Sequence, residues 1–192
     1  MHGEVLTVNS QPSDRVLVKS MSARPDAELV RAAQAGDTGS FELLYARYAP
    51  VVHSILLGRL PAFDADDVTQ NVFIIAWRKL ASLREPEAFG GWLSRIARNA
   101  AEDHRRRAHD ALQLDVDYAT RERQSAAMEA ANALAAIRAL PEAYRETLML
   151  RLVEGMSGDE IAERTGLTSG SVRVNLHRGM QLLRDALGRG EE

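Results

Sequence analysis

Apolar residues recur at intervals of three and four along the chain from residue 26 onward, which is the spacing of amphipathic α-helices. The alternation of apolar and polar residues that marks a β-strand is nearly absent. The pattern predicts four helices before residue 108, and they begin near Asp26, Phe41, Asp64 and Pro86. Asp26 is placed to cap the first helix, and Pro50 should kink or split the second. The third, over 64–80, is apolar on nearly every face, so we expect it at the centre of its bundle.

Helical spacing fades over residues 108–124, where aspartate and other polar residues dominate and the local charge turns negative. We interpret this segment as a linker between two domains. Beyond it, an alanine-rich helix and a helix ended by Gly155 precede two further helices. Ser157 and Glu160 have the spacing of a capping box at the start of the first of these, and Thr168 is placed to cap the last.

These last two helices have the pattern of a helix-turn-helix, with a small residue where they touch and a glycine at the turn. At 100° per residue, one side of the last helix is apolar and the other faces outward. An arginine on the outer side can donate twice to guanine, a valine methyl can pack on thymine, and a capped helix N-terminus can bind phosphate. These properties predict DNA contacts by Thr168, Ser169, Ser171, Arg173, Val174, His177 and Arg178. The alternative is a solvated helical hairpin with ordinary surface arginines.

The patterns together predict an all-α protein with two small helical domains joined by the linker, the second domain carrying the helix-turn-helix. The predicted domains cover residues 26–107 and 125–192. Residues 1–25 follow no convincing pattern and are expected to be a disordered N-terminal extension, within which Met21 is an alternative start to Met1.

A second basic surface is predicted on the fourth helix. Its apolar stripe, from Phe89 to Ile96, should be buried, and Trp92 belongs to that stripe rather than to a base-stacking site. The opposite face carries Arg95, Arg98, Asn99, Arg105 and Arg106. This face is either a DNA contact or a solvated surface whose last arginines complement the helix dipole, and the pattern alone does not choose.

Composition narrows the class of protein. The 192 residues are 45% hydrophobic and 27% charged, as expected of a folded chain, and the absence of cysteine excludes disulfides and cysteine-ligated metals. No apolar run is long enough for a membrane helix and no signal segment is recognisable, so we expect a cytoplasmic protein with no membrane insertion. The net charge is −3, but residues 92–109 and 171–189 each carry a local charge of +3. Such strips bind DNA usefully only when something else presents them.

These features resemble the extracytoplasmic-function group of bacterial RNA polymerase sigma factors, over about residues 26–187. The stretch 63–78 looks like the family's helix that binds the polymerase clamp. The stretch 89–99, with the arginines after it, is similar to the segment that recognises and melts the minus-ten promoter element. Residues 140–145 and the helix-turn-helix resemble the module that reads the minus-thirty-five element. The resemblance implies polymerase contacts at Asp64, Asp66, Asp67, Gln70 and Asn71.

The sequence departs from the family pattern at three places. Asn71 stands where an acidic residue is usual, which should weaken one polymerase contact. Gly90 and Gly91 replace the usual larger residues before Trp92. The recognition helix also differs at 174–175 and 179–180, so its preferred bases cannot be transferred. The loop 82–87 corresponds to the place where the family captures a flipped minus-ten base.

The resemblance implies a specificity subunit that uses no cofactor and is not an enzyme. Its partners would be core RNA polymerase, promoter DNA and a sequestering anti-sigma factor. One alternative is a stand-alone helix-turn-helix regulator that dimerises on a palindromic operator. Another is a metal hydrolase, disfavoured because its ligands would lie on a helix end and a linker: His104, His109, Asp110, Asp115 and Asp117.

Overall fold

The computed structural model of the chain describes residues 24–112 and 125–188. The predicted N-terminal extension with Met21, most of the predicted linker, and the side chains of four candidate metal ligands lie outside the described residues. Those ligands are His109, Asp110, Asp115 and Asp117.

Eight α-helices and two short 3₁₀ turns make up the described part, which contains no β-strand, so the all-α prediction is confirmed. In chain order the helices are α1 (Asp26–Gln34), α2 (Thr38–Leu57), α3 (Ala62–Lys79), α4 (Phe89–Leu112), α5 (Ser125–Ala139), α6 (Glu142–Leu152), α7 (Gly158–Thr165) and α8 (Ser169–Gly188). The 3₁₀ turns, Leu80–Ser82 and Pro86–Ala88, connect α3 to α4. Helix α4 continues to Leu112, beyond residue 107, where the periodicity had placed the end of the first domain.

Helices α1 to α4 enclose one apolar core, in which α2 is central because it packs on the other three. Helix α2 runs through Pro50 as one element, so the split that this proline could cause does not occur. The missing N–H of Pro50 leaves the carbonyl of Ala46 without its helical partner. Both residues are exposed, so water can satisfy that carbonyl while the buried residues on either side hold the helix together.

The start of α1 differs from the prediction. Pro25 occupies the N-cap position, no side chain caps the helix, and Asp26 is the first helical residue. The Asp26 carboxylate instead accepts hydrogen bonds from the Tyr48 hydroxyl, at 2.6 Å, and from Arg47, both on α2. Burial, together with this carboxylate, raises the pKa of Tyr48. Asp26 therefore ties α1 to α2 rather than capping α1.

Helix α3 lies at the edge of the bundle, so the prediction that it is central is wrong. One side packs on α2 and α4 through residues such as Val72, which is fully buried. The other side leaves Phe63 78% exposed, Ile74 48% exposed and Trp77 41% exposed. The apolar character of α3 therefore exceeds what its own bundle needs.

Helices α5 to α8 form the second half of the described chain, and their local signals agree with the sequence. The capping box of Ser157 and Glu160 is present, and Gly166 adopts the left-handed conformation at the end of α7, with φ of 72°. The buried side of α8 includes Val172, Gly179 and Leu183, as its helical spacing predicts. Helices α6 and α8 pack closely at Gly179, since a Cβ there would lie 3.0 Å from Cδ1 of Leu148 and the leucine side chain would have to shift.

The two halves pack directly against each other. Helix α6 lies on α2, and α7 lies on α4. Leu150 and Ile161 of the second half have no exposed surface and join the same apolar cluster as the core of the first four helices. The described residues therefore form one packed unit, with both predicted basic surfaces on it.

Candidate nucleic-acid interface

The predicted recognition helix presents all its candidate residues to solvent. Helix α8 follows the turn at Gly166, and its first turn is capped because Thr168 Oγ1 accepts a hydrogen bond from the Ser171 N–H at 3.1 Å. The opposite side of α8 is held in the core, so the outward side has a fixed orientation. The exposed side chains are those of Thr168, Ser169, Ser171, Arg173, Val174, His177 and Arg178. This arrangement is suited to a DNA groove, because it combines an uncovered helix N-terminus with arginine donors and an apolar methyl.

One arginine on the basic face of α4 already binds a carboxylate within the protein, which its sequence does not indicate. Arg95 and Asn99 are exposed, whereas Arg98 donates two hydrogen bonds to Glu146 on α6. The Glu146 side chain is only 7% exposed, and its hydrogen bonds raise the pKa of Arg98. Such a bidentate pair is stronger than an exposed one. Arg98 is therefore engaged within the protein in this arrangement.

The arginines at the end of the basic face pair with acidic residues of their own helix. Arg105 lies 3.2 Å from Glu102, and Arg106 lies 2.5 Å from Asp103, each pair separated by three residues. All four side chains are more than 60% exposed, so the pairs contribute little to stability and separate readily. Both arginines thus remain able to exchange their carboxylate partners for phosphate.

A cleft of about 620 Å³ lies beside this face. Trp92, Arg95 and residues 82–85, 87 and 88 line one side, and Glu163 and Gly166 of the second half line the other. Trp92 is only partly buried, so it is not purely a core residue as its helical angle had indicated. Its ring packs 5.8 Å from that of Phe89 while one part borders the cleft.

The predicted polymerase-binding residues lie on the exposed side of α3. Asp66, Asp67, Gln70 and Asn71 are exposed, and Asp64 is partly exposed with His104 3.5 Å away. The N-cap of α3 is Pro61 and no side chain caps the helix, so these acids do not act as hydrogen-bonding caps.

Sequence reasoning missed the apolar part of this surface. At 100° per residue, Phe63, Asp67, Gln70, Ile74 and Trp77 share one side of α3. The sequence pattern assigns Ile74 and Trp77 to the core because α3 has little polar face, yet that lack is itself the available signal. A helix that is apolar all round either is central in a bundle or offers one side to a partner.

No group of three or more potential metal-ligating side chains occurs among the residues that the structure describes. Within the same residues, no helix is long and apolar enough to cross a membrane.

Comparison with known proteins identifies both halves. The model of the family described as "Sigma-70 region 2" matches residues 44–110, and that described as "Sigma-70, region 4" matches residues 130–183. The chain is 33% identical over 179 residues to the ECF RNA polymerase sigma-E factor of Haemophilus influenzae, covering 84% of this chain and 95% of that protein. The chain belongs to the extracytoplasmic-function (ECF) family of RNA polymerase sigma factors. The stand-alone dimeric regulator is not favoured, because that alternative does not account for a region 2 in the same chain.

Other relatives agree with this assignment. The RNA polymerase sigma-H factor of Pseudomonas aeruginosa is 32% identical to this ECF sigma factor over 185 residues, covering 87% of this chain and 96% of that protein. Among solved structures, CnrH in complex with the cytosolic domain of CnrY is 27% identical, with a TM-score of 0.61, and the match covers 85% of this chain and 97% of CnrH. The sigma factor RpoE of Bartonella quintana, in complex with the anti-sigma factor NepR, is 20% identical with a TM-score of 0.54 over 77% of this chain and 96% of RpoE, and shows the shared fold.

Proposed function

We propose that this ECF sigma factor directs core RNA polymerase to promoters by reading a minus-thirty-five element with α8 and a minus-ten element with the outer face of α4. The proposal rests on one observation above all. Five candidate DNA contacts, Ser171, Arg173, Val174, His177 and Arg178, lie on the exposed side of α8 opposite its buried side, and Thr168 and Ser169 are exposed at its start, in a chain that also contains a sigma region 2. The sigma factor itself performs no covalent chemistry, because catalysis belongs to the polymerase.

At the minus-thirty-five element, the first turn of α8 would approach the DNA backbone. The N–H groups there, with the hydroxyls of Ser169 and Ser171, can donate to phosphate and fix the register of the helix. Arg173 and Val174 are next along the exposed side, where a guanidinium can donate to guanine and a methyl can contact thymine. His177 and Arg178 extend this surface by one turn. Sequence is read by the base contacts and affinity comes largely from the phosphates.

At the minus-ten element, the exposed residues Arg95, Asn99, Arg105 and Arg106 would follow the DNA strand. The cleft beside Trp92 has room for an unstacked base, since it is open, partly aromatic and bordered by Arg95. Extruding a base costs a few kcal/mol, which ring contacts can offset. Arg98 would join this surface after it leaves Glu146.

Polymerase would bind the exposed side of α3. Asp66 and Asp67 offer charge to a basic partner, and Ile74 and Trp77 on the same helix offer apolar area. Charge complementarity accelerates association, while burial of the apolar side chains lengthens the lifetime of the complex. Asn71 replaces an acid of the family pattern and contributes no charge.

The sigma factor would act in the cytoplasm and be controlled by an anti-sigma factor. This part of the proposal is supported by a similar sigma factor that has been solved in complex with the anti-sigma factor NepR. A protein that binds polymerase through one helix and DNA through two others can be silenced by covering either surface.

Run-off transcription tests the proposal. Purified core polymerase, with and without this sigma factor, is given a pool of the organism's promoters. We expect transcripts that begin at discrete positions and share two upstream elements. The Arg173→Ala variant should lose this selectivity, while Arg184→Ala, which alters an exposed arginine farther along α8, should retain it. A native chain that forms a stable dimer on an operator and leaves core polymerase inactive would contradict the proposal.

A further inference from the structure

A cavity of about 350 Å³ lies where the end of α2 meets α4 and α6, and four arginines line it. They are Arg59, just after α2, Arg98 and Arg105 on α4, and Arg145 on α6. Four guanidinium groups around one cavity repel one another unless carboxylates or a bound anion lie among them. The partner of each arginine therefore shows how much of this charge the protein itself neutralises.

Three of the four arginines have carboxylate partners. Arg98 and Arg105 each bind a glutamate in the pairs described above. Arg59 donates a hydrogen bond to Glu142 at 2.7 Å, so the carboxylate at the start of α6 is already engaged. The four guanidinium groups and the three carboxylates that pair with them leave one positive charge uncompensated.

The uncompensated charge belongs to Arg145. Among the described residues, the acceptor within hydrogen-bond distance of its guanidinium is the carbonyl oxygen of Gly58, 3.5 Å from Nη1. Its Nε is buried without a hydrogen-bond partner, and no other buried side-chain nitrogen or oxygen in the described part of the chain lacks one. A buried donor without an acceptor costs free energy, and more so when the group is charged. An anion in the cavity would supply the acceptor.

The carboxyl of Glu142, which also lines the cavity, responds to the same positive potential. A hydrogen bond from Arg59 lowers the pKa of Glu142, and the positive charges of Arg59, Arg145 and Arg98 lower it further. The arginines therefore favour a negative charge in their midst even after the pairs have formed.

The donors around the cavity suit a phosphate group. A guanidinium presents its N–H groups as a planar fork that matches two phosphate oxygens. Asn99 on α4 adds an amide donor, and Arg105 can exchange its exposed partner for an anion. A phosphate that retains one proton can also donate to the Glu142 carboxylate, which sulfate cannot do.

The size of the cavity limits the ligand to a small molecule. At about 30 Å³ for each water molecule, the cavity has the volume of roughly ten waters, which is enough for inorganic phosphate or pyrophosphate. The end of α2 and the helices α4 and α6 bound this space. Such a boundary favours the phosphate of a small molecule over the continuous backbone of DNA.

We propose that this cavity is a binding site for a phosphate-bearing small molecule, with Arg145 as the principal donor and Asn99 and Arg105 as further donors. The site lies away from the exposed sides of α3 and α8. The inference goes beyond the proposed function and does not depend on it, because it concerns the chain without polymerase or promoter DNA.

Isothermal titration calorimetry of the full-length chain, without polymerase or DNA, tests the proposal. Inorganic phosphate and pyrophosphate are titrated at constant ionic strength, and sulfate is the comparison anion. Arg145→Gln removes the charge and the Nε donor. Its matched control is Arg151→Gln, at an exposed arginine of the same helix that does not line the cavity. Circular dichroism checks that each variant is folded.

Two variants at exposed positions keep the test valid if Arg145→Gln fails to fold. Asn99→Ala removes a donor from the cavity. Glu102→Gln removes a carboxylate of the cavity and frees Arg105 for the anion. Glu42→Gln, at an exposed glutamate outside the cavity, is the control for Glu102→Gln. A purely structural role for these residues does not predict opposite effects of Asn99→Ala and Glu102→Gln on anion affinity.

We expect saturable binding of phosphate or pyrophosphate by the unmodified chain, and weaker binding of sulfate. Arg145→Gln should weaken the affinity by about tenfold or more, because hydrogen bonds from a charged donor are lost. Asn99→Ala should weaken it by about threefold, and Glu102→Gln should strengthen it by about threefold. Both control variants should bind as the unmodified chain does.

Three results would overturn the proposal: no saturable binding of either phosphate anion by the folded chain, sulfate binding of equal affinity, or the same loss in Arg151→Gln as in Arg145→Gln. If neither anion binds but Arg145→Gln weakens promoter binding by the polymerase complex, Arg145 contacts DNA and the small-molecule site is excluded. Run-off transcription is measured separately, so failure of anion binding and failure of the proposed function are distinguishable.

Discussion

Arg98 donates hydrogen bonds from both Nε and Nη2 to the two carboxylate oxygens of Glu146, across the contact between α4 and α6. The residues are separated by 48 positions in the sequence. The arginine looked like one of several equivalent surface cations, yet it alone among the proposed minus-ten residues is held by the other half of the protein. Its partner is nearly buried and also faces Arg59, which gives the pair a structural role where the two halves pack together.

Glu146→Ala should therefore lower the free energy of unfolding by about 2 kcal/mol, because it leaves Arg59 and Arg98 without a shared carboxylate in a partly dry site. Arg98 keeps some contact with water, which limits the loss. Urea unfolding followed by circular dichroism measures the change. The matched control is Glu102→Ala, which removes an exposed pair on α4 and should cost less than about 0.5 kcal/mol. Equal effects of the two variants would contradict the structural role of Glu146.

The free energy of unfolding should depend on Glu142 as the pH falls into the acidic range. A hydrogen bond from Arg59 and its positive charge lower the pKa of Glu142 in the folded protein. A carboxyl with a lowered pKa binds fewer protons when folded than when unfolded. Its contribution is therefore present above the ordinary glutamate pKa of about 4.3 and is lost as the pH falls through the lower folded value.

Glu142→Gln tests this dependence. The variant should be less stable than the unmodified chain at pH 6, and the difference should shrink as the pH falls from about 5 to about 3. Urea unfolding across that range measures it, with Glu42→Gln as an exposed control. A difference that stays constant with pH would show that Arg59 does not act through the charge of Glu142.

The sequence predicted the helices because nearby residues, through capping and apolar spacing, determine where each helix begins and which side is buried. Ser157 and Glu160 cap α7 as their spacing predicts, Thr168 caps α8, and the buried side of α8 follows its period. The predicted cap at Asp26 is wrong because its carboxylate binds partners on α2 instead. Those partners are more than twenty residues away, and contacts at such a separation produce no pattern in the local sequence.

The sequence predicted the candidate site residues whose exposure depends only on their own helix. It did not predict those that the other half of the protein contacts. The exposed side of α8 follows from helical geometry alone. The pairing of Arg98, and the use of Gly90 and Gly91 as a contact surface, depend on how the two halves meet. The unusual glycine pair could be seen in the sequence, but only its neighbours Arg164 and Gly166 give it a physical reason.

Arg173→Ala should reduce discrimination between the correct and a wrong base in the minus-thirty-five element by about 1 to 3 kcal/mol, because a bidentate contact to guanine would be lost. Competition binding by the polymerase complex, on matched and scrambled upstream elements, measures this value. Arg184→Ala should leave it unchanged. Equal losses on both templates would show that Arg173 contacts only phosphate.

Reversal of charge at the start of α3 should weaken association with core polymerase. Asp66→Lys combined with Asp67→Lys replaces two exposed acids, so the bundle should stay folded while the attraction to a basic partner becomes repulsion. Surface plasmon resonance at low and moderate salt should show slower association, with the largest effect at low salt. Glu28→Lys, another exposed acid but on α1, serves as the control. Unchanged affinity for core polymerase would indicate that these acids only stabilise the N-terminus of α3 through the helix dipole.

The exposed apolar side of α3 makes a separate prediction. Ile74 is 48% exposed, whereas Val72 on the same helix is fully buried. Replacing each side chain by alanine therefore distinguishes an effect on polymerase binding from an effect on folding. Ile74→Ala should weaken polymerase binding by about 1 kcal/mol, or about fivefold, through lost apolar contact, with little change in unfolding free energy. Val72→Ala should instead destabilise the bundle by more than about 1 kcal/mol because it leaves a cavity. If Ile74→Ala destabilised the free protein as much as Val72→Ala does, its side chain would belong to the core and α3 would offer polymerase only its charged and polar residues.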